Sequence, residues 1–145
     1  MDRRTFLGAA GVAGATALAG CLGGSRGSTG DHDVGMTTRR FRPATVEVPP
    51  GTTVVWRNTS SHAHTVTAVE DELPEGAPFW ATGGFDSRSA AEAGWRDGTE
   101  GALYQGDTYR RTFETPGTHT YFCIPHEASG MFGSVVVSED ATASE

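Results

Sequence analysis

Residues 116–131 read PGTHTYFCIPHEASGM, a turn, a strand and a loop in succession. Pro-Gly is a turn signal, and the six residues after it (118–123) are rich in β-branched and aromatic side chains, which is typical of a strand. Residues 134–138, which contain three consecutive valines, indicate another strand soon after the loop. The stretch therefore predicts two strands joined by a short loop.

The chain on the N-terminal side of this stretch also alternates between short strands and turns. Val46 and Val48 alternate with polar neighbours ahead of the turn Pro49-Pro50-Gly51. Only residues 89–93 look helical, and they span barely one turn. With no βαβ alternation, and with twenty glycines and seven prolines to supply turns, the sequence predicts an all-β antiparallel sandwich. Its other predicted strands are 52–57, 64–69 and 109–113.

Composition excludes several classes of protein. The chain has 145 residues and a mass of 15.2 kDa, which suits one domain. Its net charge is −7 and it has no lysine, which argues against nucleic acid as a partner. Two cysteines exclude both a disulfide-rich scaffold and a four-cysteine zinc or iron–sulfur site.

The N-terminus is predicted to be an export signal. Arg3-Arg4 precede an apolar run rich in glycine and alanine, the pattern of a twin-arginine signal. The run ends in Leu18-Ala19-Gly20-Cys21, which resembles the lipobox of secreted lipoproteins. The alternative is a transmembrane anchor, but the 15 residues from Phe6 to Gly20 fall short of the about 20 that span a bilayer.

We therefore expect four regions. Residues 1–20 are the signal, and 21–30, rich in Gly, Ser and Thr, are a tether that begins at a lipid-modified Cys21. Residues 31–138 are the folded domain, followed by an acidic tail at 139–145. The lipid is expected to hold the domain at the outer face of the cell membrane.

The loop after the first strand carries a set of soft metal ligands. Cys123, His126 and Met131 have the spacing C-x2-H-x4-M, and thiolate, imidazole and thioether together suit copper in both of its common oxidation states. His64 supplies a second imidazole and completes a His2Cys site with a weak axial methionine. His62 lies only two residues away, and we expect it to remain outside the copper ligands, because two residues shift a ring by about 6.6 Å along a strand.

Other interpretations of these residues explain less of the pattern. Each residue alone is commonly inert, as a buried thiol, a surface histidine or a core methionine. A cysteine protease leaves Met131 unexplained. A multicopper oxidase would use the pair His62-Ala63-His64, but five histidines cannot supply several such pairs and a blue copper site as well. A copper carrier would be expected to have more than three methionines.

The chain resembles plastocyanin-type cupredoxins, and within them the halocyanins, which are membrane-associated blue copper proteins of halophilic archaea. The resemblance covers residues 31–138. Its motifs are Val46-Glu47-Val48-Pro49-Pro50-Gly51, Val54-Val55-Trp56-Arg57-Asn58, His64-Thr65-Val66, Gly83-Gly84-Phe85-Asp86-Ser87, and Pro116 to Cys123 leading into the ligand loop.

This resemblance implies a Greek-key sandwich of about eight strands that transfers single electrons and is not an enzyme. It implies His64, Cys123 and His126 as equatorial copper ligands and Met131 as the axial one. The implied partners are redox proteins of a respiratory chain, and we expect the protein to be a monomer. Pro125 and Phe132 are candidates for an apolar ring around the exposed edge of His126.

Three residues depart from the plastocyanin pattern. Thr65 stands where the side chain of an asparagine often ties the two ligand segments, so that tie must be weaker or made otherwise. Phe122 replaces a tyrosine used as a remote site of electron entry. His119 replaces an aromatic residue, and we predict that it is a hydrogen-bonded structural histidine.

Most of the negative charge lies in residues 70–100, where eight acidic side chains and two arginines give a net charge of −6. Acidity without lysine is consistent with solubility in high salt. It is also consistent with a docking patch for a basic redox partner. At molar salt the Debye length is only about 3 Å, which screens such a patch and favours the first interpretation.

Overall fold

A computed structural model describes residues 32–141 of the chain. The predicted signal (1–20), the tether (21–30) with Cys21, and the last four residues of the acidic tail lie outside the described residues. None of the helices within 32–141 has the length and apolar character that a membrane-spanning helix needs.

The described part of the chain contains eight strands and one α-helix. The strands are β1 (Val34–Met36), β2 (Phe41–Arg42), β3 (Thr45–Val48), β4 (Thr52–Asn58), β5 (Thr67–Ala68), β6 (Thr108–Phe113), β7 (Gly117–Phe122) and β8 (Phe132–Val137). Helix α1 is Arg88–Gly98, and two 3-10 segments are Glu70–Glu72 and Ile124–Ser129.

The strands form two four-stranded sheets, in the orders β2-β1-β4-β6 and β3-β8-β7-β5. This confirms the predicted all-β sandwich. Four strand pairs are antiparallel, whereas β1 pairs with β4 and β3 pairs with β8 in parallel. The N-terminal strands of the domain thus join sheets whose other members come much later in the chain.

Alternation along the strands builds the core between the sheets. Val54, Trp56 and Asn58 on β4 are buried, and so are Val135 and Val137 on β8. The Trp56 ring lies at the centre, with ring centroids 5.3–6.1 Å away on four neighbours, Trp80, Tyr109, Phe113 and Tyr121. This aromatic cluster fixes how the sheets pack.

Two sequence predictions were wrong in extent. The strand predicted at 64–69 is reduced to β5, because the residues before it turn away and make only an isolated bridge between His64 and Leu103. The helix predicted at 89–93 extends from Arg88 to Gly98. Its start is capped by the Ser87 side chain, which accepts a hydrogen bond from the N–H of Ala90 at 3.1 Å.

Gly133 is required by its place opposite Tyr121 in the β7–β8 pair. A Cβ at this position would lie 2.6 Å from the Tyr121 ring and hydroxyl. The ring cannot move aside, because it is fully buried and packs on Phe41 with ring centroids 4.7 Å apart. The close approach of these two strands therefore depends on a residue without a side chain.

We expect Gly133→Ala to lower the free energy of unfolding by about 1–3 kcal/mol, the range of overpacked cores. The measurement is urea unfolding followed by tryptophan fluorescence. Gly98→Ala is the matched control, because no atom lies within 4 Å of its added Cβ. The control should be neutral or stabilising by at most about 1 kcal/mol. Equal stability of the two variants would contradict the packing argument.

Candidate metal centre

Three of the four predicted ligand residues converge at one end of the sandwich. The ligand atoms of His64, Cys123 and His126 all lie within 4.8 Å of one another. The Cys123 sulfur is 3.4 Å from Nδ1 of His64 and 3.3 Å from Nδ1 of His126. Residues 59 positions apart in the sequence thus meet around one point.

His64 is held on both its backbone and its ring. The His64 N–H donates to the Leu103 carbonyl at 3.1 Å, and the Leu103 N–H donates to the His64 carbonyl at 2.7 Å. On the ring, Nε2 lies 3.0 Å from the Ser60 hydroxyl oxygen, whose proton is directed to Asn58 Oδ1 at 2.8 Å. This network assigns the ring proton to Nε2 and leaves Nδ1 with a free lone pair beside the Cys123 sulfur.

The ligand loop is closed by its own backbone. Cys123 follows the last residue of β7, and its N–H donates to the Met131 carbonyl at 3.1 Å. The N–H of Met131 donates to the His126 carbonyl at 3.2 Å, and Gly130 turns the chain with a φ of 82°. Met131, the fourth predicted ligand, is 1% exposed and belongs to the same core cluster as Cys123. The backbones of all three predicted ligand residues of the loop are therefore linked to one another just beyond the end of the β7–β8 pairing.

Thr65 ties the two ligand segments together. Its hydroxyl accepts a hydrogen bond from the Ile124 N–H at 2.9 Å and is itself held by the Thr67 hydroxyl at 3.2 Å. Its backbone N–H donates to the Cys123 sulfur at 3.4 Å. The tie expected to be weaker or made otherwise is therefore made by a threonine hydroxyl.

Burial sets the charge of the site without a metal. It raises the pKa of the Cys123 thiol to about 11, although hydrogen bonds from Thr65 and His126 act against it. Burial, followed by the charge of His126, lowers the pKa of His64 to about 4, and burial also lowers the pKa of His126. At neutral pH the metal-free site thus holds a neutral thiol and two neutral imidazoles. A cation is needed to displace the thiol proton.

The donors fit copper. One soft sulfur and two imidazole nitrogens, with a thioether close by in the fold, form the set that copper proteins of the blue type use. The sulfur–nitrogen distances of 3.3 and 3.4 Å match two donors of one ion. Metal bonds of about 2.3 Å to sulfur and about 2.0 Å to nitrogen would give such a separation.

The other two histidines singled out in the sequence lie outside this cluster. His62 is exposed, and its ring stacks beside that of His126 with centroids 6.3 Å apart. His119 is buried, and its Nε2 lies 2.8 Å from the Thr115 carbonyl oxygen. Its predicted role as a hydrogen-bonded structural histidine is confirmed.

Sequence reasoning missed Arg88, which braces the ligand loop. Its guanidinium contacts Glu92 at 2.9 Å and Glu127 at 2.7 Å, and it lies 4.3 Å from the centre of the Phe122 ring. The contact with Glu92 is an i,i+4 pair, which the sequence does show. The contact with Glu127 spans 39 residues and has no local signature.

The class of protein follows from these features. An eight-stranded sandwich in which a buried cysteine lies between two histidines is characteristic of cupredoxins. A family model described as "Copper binding proteins, plastocyanin/azurin family" matches residues 29–138. The chain belongs to this family. Its cofactor is copper, and the family consists of electron carriers rather than enzymes.

Relatives in sequence and in structure agree with this assignment. The chain is 34% identical to plastocyanin from Scenedesmus fuscus over 97 residues, which is 67% of this chain and 85% of that protein. It is 30% identical to plastocyanin A'/A'' from Nicotiana tabacum over 109 residues, 75% and 95% of the two chains. A pseudoazurin from Sinorhizobium meliltoi superposes with a TM-score of 0.53 at 26% identity, over 74% of this chain and 73% of that chain.

We expect the metal-free protein to lose stability as the pH falls from about 6.5 towards 4. In this interval an unfolded chain protonates His64 and the folded one does not, since its folded pKa is about 4. The loss should be about 2 kcal/mol between pH 7.5 and 5. The measurement is urea unfolding of the metal-free protein at several pH values.

Two variants isolate the contribution of His64. In His64→Asn the loss of unfolding free energy between pH 7.5 and 5 should be smaller by about 2 kcal/mol. In His62→Ala the loss should change much less, because His62 is exposed and its charge is the smallest of the contributions at His64. An unchanged loss in His64→Asn would show that burial of this ring is not the cause.

Proposed function

We propose that this protein is a halocyanin-type blue copper carrier. It would shuttle single electrons between redox proteins of a respiratory chain at the outer face of the cell membrane, where a lipid on Cys21 anchors it. The observation that carries the proposal is the convergence of His64, Cys123 and His126 at the end of the sandwich. Family membership supports the electron-transfer chemistry.

The four residues proposed to hold copper are His64, Cys123, His126 and Met131. Copper bound there would supply one-electron exchange between its Cu(I) and Cu(II) states. The residues around it limit movement: Thr65 and Leu103 hold His64 and Cys123 by hydrogen bonds to the backbone or the sulfur. A site held in this way changes little between oxidation states, which favours rapid transfer.

Exposure indicates where the electron would enter and leave. His64 and Cys123 are 0% exposed, whereas His126 is partly exposed. Phe132, which is 40% exposed, and the partly buried Pro125 supply apolar surface on the same loop. The edge of His126 is thus the proposed port, and its apolar surroundings allow a partner to exclude water.

The location at a membrane of a halophilic archaeon rests on the sequence. Arg3-Arg4, the run to Cys21 and the tether 21–30 follow the order of a lipoprotein export signal. The net charge of −7 without lysine is consistent with life in high salt. We also propose that the domain acts as a monomer.

The copper-loaded, oxidised protein should be intensely blue and should bleach reversibly on reduction, because of charge transfer from the Cys123 thiolate. Cys123→Ser should lose the band, since a hydroxyl cannot supply a soft covalent ligand. The measurement is a visible spectrum before and after reduction. An intense blue band in the serine variant would overturn the copper assignment.

The pair His64→Ala and His62→Ala tests the ligand register in the same assay. His64→Ala should lose the blue band or alter it strongly. His62→Ala should keep it, because this exposed residue is not part of the cluster. The reverse result would place the ligand two residues earlier.

Cys21→Ser should release the protein from the membrane fraction of its native host. A serine cannot carry the thioether-linked lipid, and the net charge of −7 favours solubility once the lipid is absent. The measurement is fractionation and immunoblotting, with Cys123→Ser as the matched control that should stay with the membrane. Equal membrane retention of Cys21→Ser would contradict lipid anchoring.

A further inference from the structure

A groove of about 340 Å³ lies beside the ligand loop and is lined by Arg39, Arg40, Ser129 and Gly130. The two arginines belong to the turn between β1 and β2, and both are exposed. Neither guanidinium forms an ion pair with any residue in 32–141. The groove thus presents two cationic side chains that are not neutralised within the described chain.

The turn is built so that it presents these arginines. The N–H and the hydroxyl of Thr37 both donate to the Arg40 carbonyl, at 2.9 and 3.2 Å. The opposite wall is the end of the ligand loop, where the Gly130 N–H donates to the Glu127 carbonyl at 2.9 Å. Both walls are therefore ordered, and the spacing between them is set by the fold.

The groove lies next to the proposed electron port. Met131, the residue after Gly130, donates its N–H to the His126 carbonyl at 3.2 Å. The charge of Arg39 is near enough to His126 to contribute, after burial and His62, to the lowered pKa of that ring. The groove is therefore close to the part of the chain that carries His126, and its positive charge is felt at that ring.

The two arginines of the groove, and not the net charge of the chain, set the sign of the occupant's charge. The net charge is −7, and Arg88, the other arginine at the ligand loop, is neutralised by Glu92 and Glu127. An acidic protein is thus repelled by most of this molecule and attracted at the groove. Guanidinium groups pair with carboxylates through two parallel hydrogen bonds, which also fixes orientation.

We propose that the groove between the β1–β2 turn and the ligand loop docks the carboxylates of an acidic redox protein. Docking there sets the partner's redox group next to His126. This inference rests on the proposed electron-transfer function and adds the charge and position of one partner. It assigns contact to a basic groove, because direct guanidinium–carboxylate hydrogen bonds of about 2.8 Å act within the Debye length that screens longer-range attraction to the acidic segment 70–100. An anionic membrane in the same groove would cover His126, which makes it the less favourable occupant.

The kinetic test uses the reduced, copper-loaded full chain and two small oxidants of opposite charge. One electron passes from the protein to hexacyanoferrate(III), giving hexacyanoferrate(II), or to tris(phenanthroline)cobalt(III), giving the cobalt(II) complex. In Arg39→Gln/Arg40→Gln the second-order rate constant with hexacyanoferrate(III) should fall about five- to tenfold, and its salt dependence should weaken. The rate with the cationic oxidant should stay equal or rise.

Arg96→Gln/Arg110→Gln is the matched control, because both residues are exposed, lie outside the groove and change the net charge equally. It should slow hexacyanoferrate(III) by less than twofold, which is the effect of net charge alone. The visible spectrum should be the same in all three proteins. An equal loss of rate in both double variants would overturn the proposal.

A second readout does not depend on copper. Paramagnetic hexacyanochromate(III), added to the metal-free protein, should broaden the amide resonances of residues 37–40 and 129–130. The broadening should disappear in Arg39→Gln/Arg40→Gln. Broadening of other residues instead of 37–40 and 129–130 would overturn the proposal that the groove binds anions. If no blue protein forms, the proposed function fails while this readout still tests the groove.

A third arm separates a protein partner from a membrane. Vesicles containing phosphatidylglycerol are added to Cys21→Ser protein with and without the two groove substitutions. We expect equally weak binding in both. Binding that depends on the two arginines, together with an unchanged hexacyanoferrate(III) rate, would assign the groove to lipid and overturn the proposal.

Discussion

The hydrogen bond from the Ile124 N–H to the Thr65 hydroxyl carries the connection between two chain segments beyond the β5–β7 pairing, which ends at Thr67 and Phe122, and into the site itself. One segment carries His64, and the other carries Cys123, His126 and Met131. At 2.9 Å the bond is buried on the Thr65 side, and the Thr65 N–H reaches the Cys123 sulfur as well. A buried bond of this kind is costly to leave unmade, so it locks the distance between the segments. The sulfur–nitrogen distances of the cluster depend on that lock.

The same burial that makes the lock strong also leaves the site incomplete without a cation. The Cys123 thiol, with a pKa of about 11, and the His64 imidazole, with a pKa of about 4, are both neutral at pH 7. They contact each other and are held by the Thr65 N–H and the Ser60 hydroxyl. The aromatic cluster around Trp56 belongs to the same buried core as Cys123 and Met131, so the site is built on close-packed side chains. The fold therefore prepares a donor set in advance, and a metal that replaces the thiol proton gains a site that needs no rearrangement.

The sequence predicts those parts of the molecule that local pattern controls. Alternation in 52–57 and 134–138 predicts strands because one face of each must be buried, and the C-x2-H-x4-M spacing lies within one loop. Strand β1 was missed, since three residues show no period, and its parallel pairing with β4 is decided only by the tertiary fold. Helix α1 was predicted too short because Gly94 and Gly98 lower its helix propensity. Glycine is needed at position 94 because a Cβ there would collide with the Phe85 ring. The tie through Thr65 was beyond prediction, because residue type alone does not show which backbone N–H a hydroxyl will accept.

The loop that carries Cys123 and His126 buries the first residue and leaves the second partly exposed, and its backbone shows how both are achieved. Ile124–Ser129 forms 3-10 turns that are interrupted at His126, whose φ of −122° and ψ of 19° are not helical. The interruption turns this ring towards the surface while Cys123, three residues earlier, stays fully buried. Arg88 secures the next residue, Glu127, from the side of helix α1, and the pairing of β7 with β8 secures both ends of the loop. The backbone on both sides of His126 is therefore held by hydrogen bonds and an ion pair. The groove lined by Arg39 and Arg40 adjoins the end of the same loop at Ser129 and Gly130, so positive charge and the partly exposed His126 belong to neighbouring parts of the surface.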